Sequence, residues 1–281
     1  MEASKNATER WFIAIDIDGT LVHDDGYLSE RVVQEVGRVR DLGHEVVIAT
    51  GRAAANAHPV VHQLGIRTGH AVTSNGAVTI RINPSSQLGY EVVDIVTFDP
   101  APVLTKLIDS LPNAHFAVED TDGSYRFHRP FPTYSLGERN YEAPLDDLLS
   151  KPVSRVVVLS PDHDTQEFLQ LTSEIGLHSV SYSIGYTAWL DIAPDGVDKG
   201  SALQRVRAQT GITEHRTLVI GDGRNDIEMF RWARASGGHA IAMGQAPDEV
   251  KLEASAITAA VDQDGVAEAL AALEGLEFGL T

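Results

Sequence analysis

Hydrophobic positions along this chain recur with two different periods. Residues 11–17 form an apolar run that closes on acidic positions, the pattern of a strand buried on both faces. Over residues 28–42 the apolar side chains Leu28, Val32, Val36, Val39 and Leu42 recur at helical spacing, with Ser29 suited to start the helix and Gly43 to stop it. A second strand is predicted at 45–49, a second helix at 53–64 and a short third strand at 70–73. This order of strand, helix, strand, helix, strand implies a parallel sheet with right-handed crossovers.

From residue 77 the pattern changes. Two strands, 77–82 and 90–96, flank the turn-rich Asn83-Pro84-Ser85-Ser86. A helix follows near 103–111, then strands near 115–119 and 124–128 joined by Asp122-Gly123, a good hairpin turn. Residues 127–144, rich in Pro, aromatic and charged side chains, read as loop. A strand at 153–159, a helix at 165–175 and strands at 179–183 and 188–192 complete an α+β mixture. After Pro194 the alternation resumes, with helices at 199–209, 226–233, 247–252 and 265–273 and strands at 217–220 and 239–242. The predicted fold class is α/β: a Rossmann-like parallel-sheet core made of residues 1–81 and 194–281, with an α+β cap inserted at 82–193.

Composition narrows the partners. The 281 residues, 43% hydrophobic, suffice for a large core. Acidic residues outnumber basic ones by 40 to 22, a formal net charge of −18, so neither nucleic acid nor an anionic membrane is an expected partner. A phosphate-handling site in such a protein needs its own local cations. The absence of cysteine excludes disulfides, thiolate metal sites and cysteine nucleophiles. There is no apolar stretch of membrane-spanning length, and residues 1–10 lack the apolar core of a secretory signal, so the expected location is cytoplasmic.

Candidate chemistry sits where strands end. Asp16-Ile17-Asp18-Gly19-Thr20-Leu21 follows the first strand, at the edge where open α/β sheets place ligands. Two carboxylates two residues apart repel each other unless a cation or shared proton compensates. Gly19 suits a tight turn whose N–H groups can face an anion. Thr50-Gly51-Arg52 follows the second strand and offers a hydroxyl and a backbone N–H to a phosphoryl oxygen. Lys199, in Asp198-Lys199-Gly200, opens a helix whose N-terminus already favours a phosphate. Gly221-Asp222-Gly223-Arg224-Asn225-Asp226 follows another strand, and its acids match the oxygen ligands a hard cation such as Mg²⁺ prefers.

These motifs, in this order, resemble the haloacid dehalogenase superfamily, over nearly the whole chain. The resemblance is most specific to its Cof-type sugar-phosphatase branch, whose cap is inserted between the second and third motifs. Ser74-Asn75-Gly76-Ala77, the segment 191–200, Met243-Gly244-Gln245-Ala246 and Asp264-Gly265-Val266-Ala267 fit that branch too. The family usually has Asn at the place of Gln245, and often Ser or Ala at that of Gly223. The resemblance implies an Mg²⁺-dependent phosphatase acting on a small phosphorylated metabolite, such as a sugar phosphate. Asp16 would be the nucleophile and Asp18 the general acid and base. The Asp16 and Asp222 carboxylates, the Asp18 carbonyl and, in support, Asp226 would hold the metal. Thr50, Gly51, Lys199 and Asn225 would bind the phosphoryl group. Further candidates for substrate contact are Asn75 and, in the insertion, Glu119, Arg126, His128, Tyr186 and Trp189. Competing readings are a phosphomutase using the same phospho-aspartate, a receiver-like switch, and a catalytically silent phosphometabolite-binding protein.

Overall fold

The computed structural model describes residues 10–132, 135–136, 139–175, 180–184 and 188–273. Its strands are β1 Phe12–Ile15, β2 Glu45–Ala49, β3 His70–Thr73, β4 Val78–Ile82, β5 Tyr90–Ile95, β6 His115–Glu119, β7 Tyr125–Phe127, β8 Asn140–Glu142, β9 Arg155–Leu159, β10 Val180–Ile184, β11 Trp189–Pro194, β12 Thr217–Gly221, β13 His239–Ala242 and β14 Ala256–Ile257. They form an eight-stranded sheet in the order β14-β13-β12-β1-β2-β3-β4-β5 and a six-stranded sheet in the order β10-β11-β9-β6-β7-β8.

In the larger sheet, β14 through β3 run parallel, and β4 and β5 turn back antiparallel at one edge. Successive side chains on a strand face opposite layers, and both layers here are apolar. Ile13, Ile15, Val46, Ile48, Leu218 and Ile220 pack under the helices Glu30–Asp41, Ala54–Gln63 and Gly265–Ala271. Phe12, Ala14, Val47, Ala49 and Val219 pack against Lys199–Thr210, Ile227–Ala235 and Asp248–Glu253. That two-sided burial explains why these strands are continuous apolar runs. Ser29 caps its helix as expected, its side chain accepting from the Arg31 N–H.

The smaller sheet has one wholly apolar buried face and one mixed face that is also largely buried, with Ala117, Tyr125 and Val157 packed there. Phe116, Val118, Val156, Val158, Leu190 and Ile192 pack with Val103, Leu104 and Leu107 of the helix Ala101–Ser110 and with Phe168. The alternate positions, among them Glu119, Tyr125, Arg155, Trp189 and Asp191, turn to the other side, toward the carboxyl edge of the larger sheet.

Two expectations need correction. The insertion is placed to begin at residue 82, yet β5 lies beyond that point and pairs with β4 in the larger sheet. The chain doubles back because the Asn83 N–H donates to Gly89 O at 2.9 Å and the Ser86 hydroxyl bonds Asn83 O and Tyr90 O, each at 2.9 Å. Residues 127–144 are not all loop either: β8 lies there, pairing parallel with β7.

Between β3 and β4 the chain makes a tight turn in which Gly76 has φ +101, and a Cβ there would lie 2.2 Å from the Asp198 carbonyl oxygen. Gly76 thus lets this turn pack directly on the start of the helix that carries Lys199. Gly76→Ala should destabilise the protein by about 2 kcal/mol or more, seen in a thermal melt as a drop of at least ~4 °C.

Candidate active site

β2, β1 and β12 are neighbours, and each ends in one of the polar motifs. Parallel register places Asp16 after β1, Thr50 after β2 and Asp222 after β12 at one edge. Asp16, Asp222 and Asp226 are all buried, and each offers a carboxylate oxygen within 4.8 Å of the others'. Lys199, wholly buried, donates from Nζ to Asp16 Oδ1 at 2.7 Å and to Asp226 Oδ1 at 2.6 Å. Helix capping delivers it: the Asp198 side chain accepts from the Ser201 N–H at 2.8 Å, and the Ser201 hydroxyl accepts from the Asp198 N–H at 3.0 Å.

The electrostatics follow from burial. Loss of water pushes the Asp16 carboxyl well above the usual range; Lys199 pulls it back, while Asp226, Asp222 and Asp18 add to the rise. Burial works against the charge of Lys199, but the Asp16 and Asp226 carboxylates outweigh it and hold the ammonium above its ordinary value. Three acids against one lysine leave excess negative charge at a point of all-oxygen donors. That set fits a hard divalent cation such as Mg²⁺.

The supporting loops are firmly tied. Asp226 Oδ2 accepts the N–H groups of Asp222 at 3.0 Å and Gly223 at 2.9 Å, so Asp226 holds the loop that presents Asp222. The Thr20 hydroxyl donates to Asp222 Oδ1 at 3.3 Å. Gly19, at φ +74, is obligatory here: a Cβ would sit 2.3 Å from Asp222 Oδ2. Gln245, where the family usually has Asn, donates from Nε2 to Gly19 O and accepts the Val261 N–H at 3.1 Å, so the longer side chain braces the Gly19 turn.

A cavity of about 240 Å³ opens between this edge and the smaller sheet. Asp16, Asp18, Gly51, Asp222 and Asn225 line it. Thr50 lies buried beneath, its hydroxyl accepting the Arg52 N–H at 3.1 Å. Asn75 receives the Asn225 Nδ2 donor on its Oδ1 at 3.0 Å, so it orients a neighbouring polar group. Asp18, its side chain 61% exposed, is paired with Arg52, Nε to Oδ2 at 2.9 Å.

Two insertion candidates lie elsewhere. Arg126 is 1% exposed and holds Asp120 with Nη2 to Oδ1 at 2.8 Å and Nε to Oδ2 at 2.9 Å. It sits on β7 between Tyr125 and Phe127, so strand alternation turns it away from the cavity. His128 accepts the Phe116 N–H on Nδ1 at 3.1 Å and packs on the Phe116 ring, outside the cavity lining. Tyr186 lies outside the described residues. Glu119 is buried behind the lining, paired with Ser74 and Arg155, whereas the candidate Trp189 does line the cavity, together with Arg52, Asn56, Arg155 and Asp191. Arg155 and Asp191 had a legible signal: each is a charge interrupting an apolar strand, in Arg-Val-Val-Val-Leu and Trp-Leu-Asp-Ile-Ala.

Comparison with known proteins identifies the family. Residues 13–270 match the family model for haloacid dehalogenase-like hydrolases. A 5-amino-6-(5-phospho-D-ribitylamino)uracil phosphatase of Bacillus subtilis strain 168 is 28% identical over 272 residues, covering 94% of this chain and 97% of its own. A pyridoxal phosphate phosphatase of Escherichia coli strain K12 is 26% identical over 275 residues, covering 91% and 96%. A solved haloacid dehalogenase-like hydrolase from Bacteroides thetaiotaomicron superposes with a TM-score of 0.73 at 24% identity, over 94% of this chain and 99% of that one. With the matched model spanning both sheets and every motif at the carboxyl edge, the chain belongs to the haloacid dehalogenase-like hydrolase family.

Proposed function

We propose that this protein is an Mg²⁺-dependent phosphatase that cleaves a small phosphorylated metabolite through an aspartyl-phosphate on Asp16. The observation that carries the reading is the meeting of Asp16, Asp222 and Asp226 around Lys199, from segments some two hundred residues apart in sequence. Asp16 and Asp222, with the Asp18 carbonyl, are the groups to hold the ion, and Asp226 supports them. When bound, the ion neutralises charge on the phosphoryl oxygens, the main source of catalysis in phosphoryl transfer.

The chain's own groups do the rest. An Asp16 carboxylate oxygen attacks phosphorus, and the ester P–O bond breaks. The departing oxygen takes a proton from Asp18 and leaves as the alcohol. Water then attacks the phosphorus, giving its proton to Asp18, and the P–O bond to Asp16 breaks, releasing inorganic phosphate. Arg52, paired with Asp18 in this structure, has to yield that carboxyl to the ester oxygen as substrate enters. Lys199, the Gly51 N–H, the Thr50 hydroxyl and Asn225 hold the transferring group.

The substrate reading is a sugar phosphate or a compound of similar size. The cavity is small at about 240 Å³, and its far wall offers Trp189 for a ring face and Asp191 for hydroxyl donors. The relatives named above act on phosphorylated small molecules, a phosphoribitylamino-uracil and pyridoxal phosphate.

Three outcomes test the reading. Asp16→Asn should lose essentially all phosphate release across a panel of phosphometabolites; substantial residual turnover contradicts the nucleophile. Asp18→Asn should slow an alkyl phosphate more than p-nitrophenyl phosphate by at least ~10-fold, because only the poor leaving group needs the proton. Mg²⁺ should raise the melting temperature of the wild type, and the shift should vanish in Asp222→Asn; an equal shift in both would place the ion elsewhere.

A further inference from the structure

Arg155 has no part in the chemistry just described, yet it is buried, charged and against the site. It projects from β9, directly across from Glu119 on β6. Its Nε donates to Glu119 Oε2 at 3.1 Å, its Nη2 to the Tyr125 hydroxyl, and its Nη1 to Asp191 Oδ1 at 3.3 Å and to the carbonyl oxygen of Gly51. With its donors committed in this way, the guanidinium is poorly placed to capture a substrate anion. The bond to Gly51 O is the one that leaves the smaller sheet and reaches a phosphate-binding loop.

Resting on the phosphatase reading, we infer that Arg155 is a positioning residue that, from across the cavity, fixes the Gly51–Arg52 peptide, the plane adjoining the one that carries the Gly51 N–H of the phosphate cradle. Gly51 is flanked by two peptide planes. The Thr50 carbonyl accepts the Asn75 N–H at 3.1 Å, and the Gly51 carbonyl accepts Arg155. In a trans peptide the N–H points opposite to its C=O, so tying the Thr50 oxygen to Asn75 sends the Gly51 N–H the other way. That N–H has no hydrogen-bond partner among the described residues, and Gly51 lines the cavity. It is a donor held open for an oxygen.

The same cluster secures the Asn75 side of the clamp. Glu119, buried, accepts the Ser74 hydroxyl at 2.8 and 3.0 Å, and Ser74 and Asn75 both sit in the left-handed region at φ 49 and 52. Asn75 in turn donates from Nδ2 to Asp191 Oδ2 at 3.4 Å. Glu119, Arg155 and Asp191 thus tie the smaller sheet to both loops that shape the cradle.

Orthovanadate with Mg²⁺, titrated calorimetrically, probes the cradle without turnover. In Arg155→Ala its affinity should fall roughly 10-fold or more, and kcat for p-nitrophenyl phosphate by about 10²-fold. Free guanidinium ion at millimolar concentration should restore part of both losses in the variant and neither gain in the wild type. Unchanged vanadate affinity, or a loss that guanidinium leaves unrepaired, overturns the assignment. If Arg155→Ala does not fold, Arg155→Lys decides. Its ammonium keeps the charge between Glu119 and Asp191 but cannot span Glu119, Tyr125 and Gly51 together, so the same loss at a native melting temperature supports the role and unchanged affinity removes it. A wild type that binds vanadate but hydrolyses no phosphate ester refutes the phosphatase reading while leaving this comparison intact; one that binds no vanadate ends both.

Discussion

Carboxylates cannot be gathered out of water without a counter-charge, and that constraint organises this molecule. Asp16, Asp222 and Asp226 lie within 4.8 Å of one another in a buried setting. Lys199 bridges Asp16 and Asp226 and lowers the cost of that assembly. Removing Lys199 would leave buried carboxylates without their counter-charge, a loss typically worth about 3–5 kcal/mol. The remaining imbalance supports the proposed divalent ion, which would supply the local positive potential that phosphate requires beside a net charge of −18.

Everything around the cluster serves to hold it in register. Adjacent parallel strands bring the motif ends side by side, and glycines remove the side chains that would collide with the acids. Asp226 spends one oxygen on the backbone of its own loop and the other on Lys199, so loop shape and ion pairing are settled together. The left-handed pair Ser74 and Asn75 costs roughly 1–3 kcal/mol at each residue; hydrogen bonds to Glu119, Thr50 and Asn225 hold that strain in place.

The smaller sheet shows the same economy in a different form. Strand alternation gives it one apolar face under its helices and one mixed face over the site. Charges on that second face are paired with each other before they meet the cavity: Arg155 stands between Glu119 and Asp191. Burial holds the Asp191 carboxyl above its ordinary range, although Arg155 draws it partway down. The cavity wall on this side is therefore polar, with its charges paired to one another.

Much of this was legible along the chain. The α/β alternation, the buried strands and the acidic motifs at their ends follow from local pattern, because a strand buried on both faces must be apolar and a motif at its end has nowhere else to go. Asp16, Asp222 and Lys199 could be read as one site from that logic together with the family resemblance. What local pattern leaves open is which face of the smaller sheet a residue occupies, and with what it pairs once there. Arg126 and Arg155 are both arginines on strands of the same sheet; one is turned to Asp120 and away from the cavity, the other toward Gly51, by a difference of alternation and strand placement that only the assembled sheet decides. Likewise β5 joined the larger sheet because a hairpin turn folded it back onto β4. Sequence determined the elements and their chemistry through short-range periodicity; tertiary structure alone determined which distant side chains came within a hydrogen bond of each other, because that depends on strand order and register rather than on any stretch of residues read by itself.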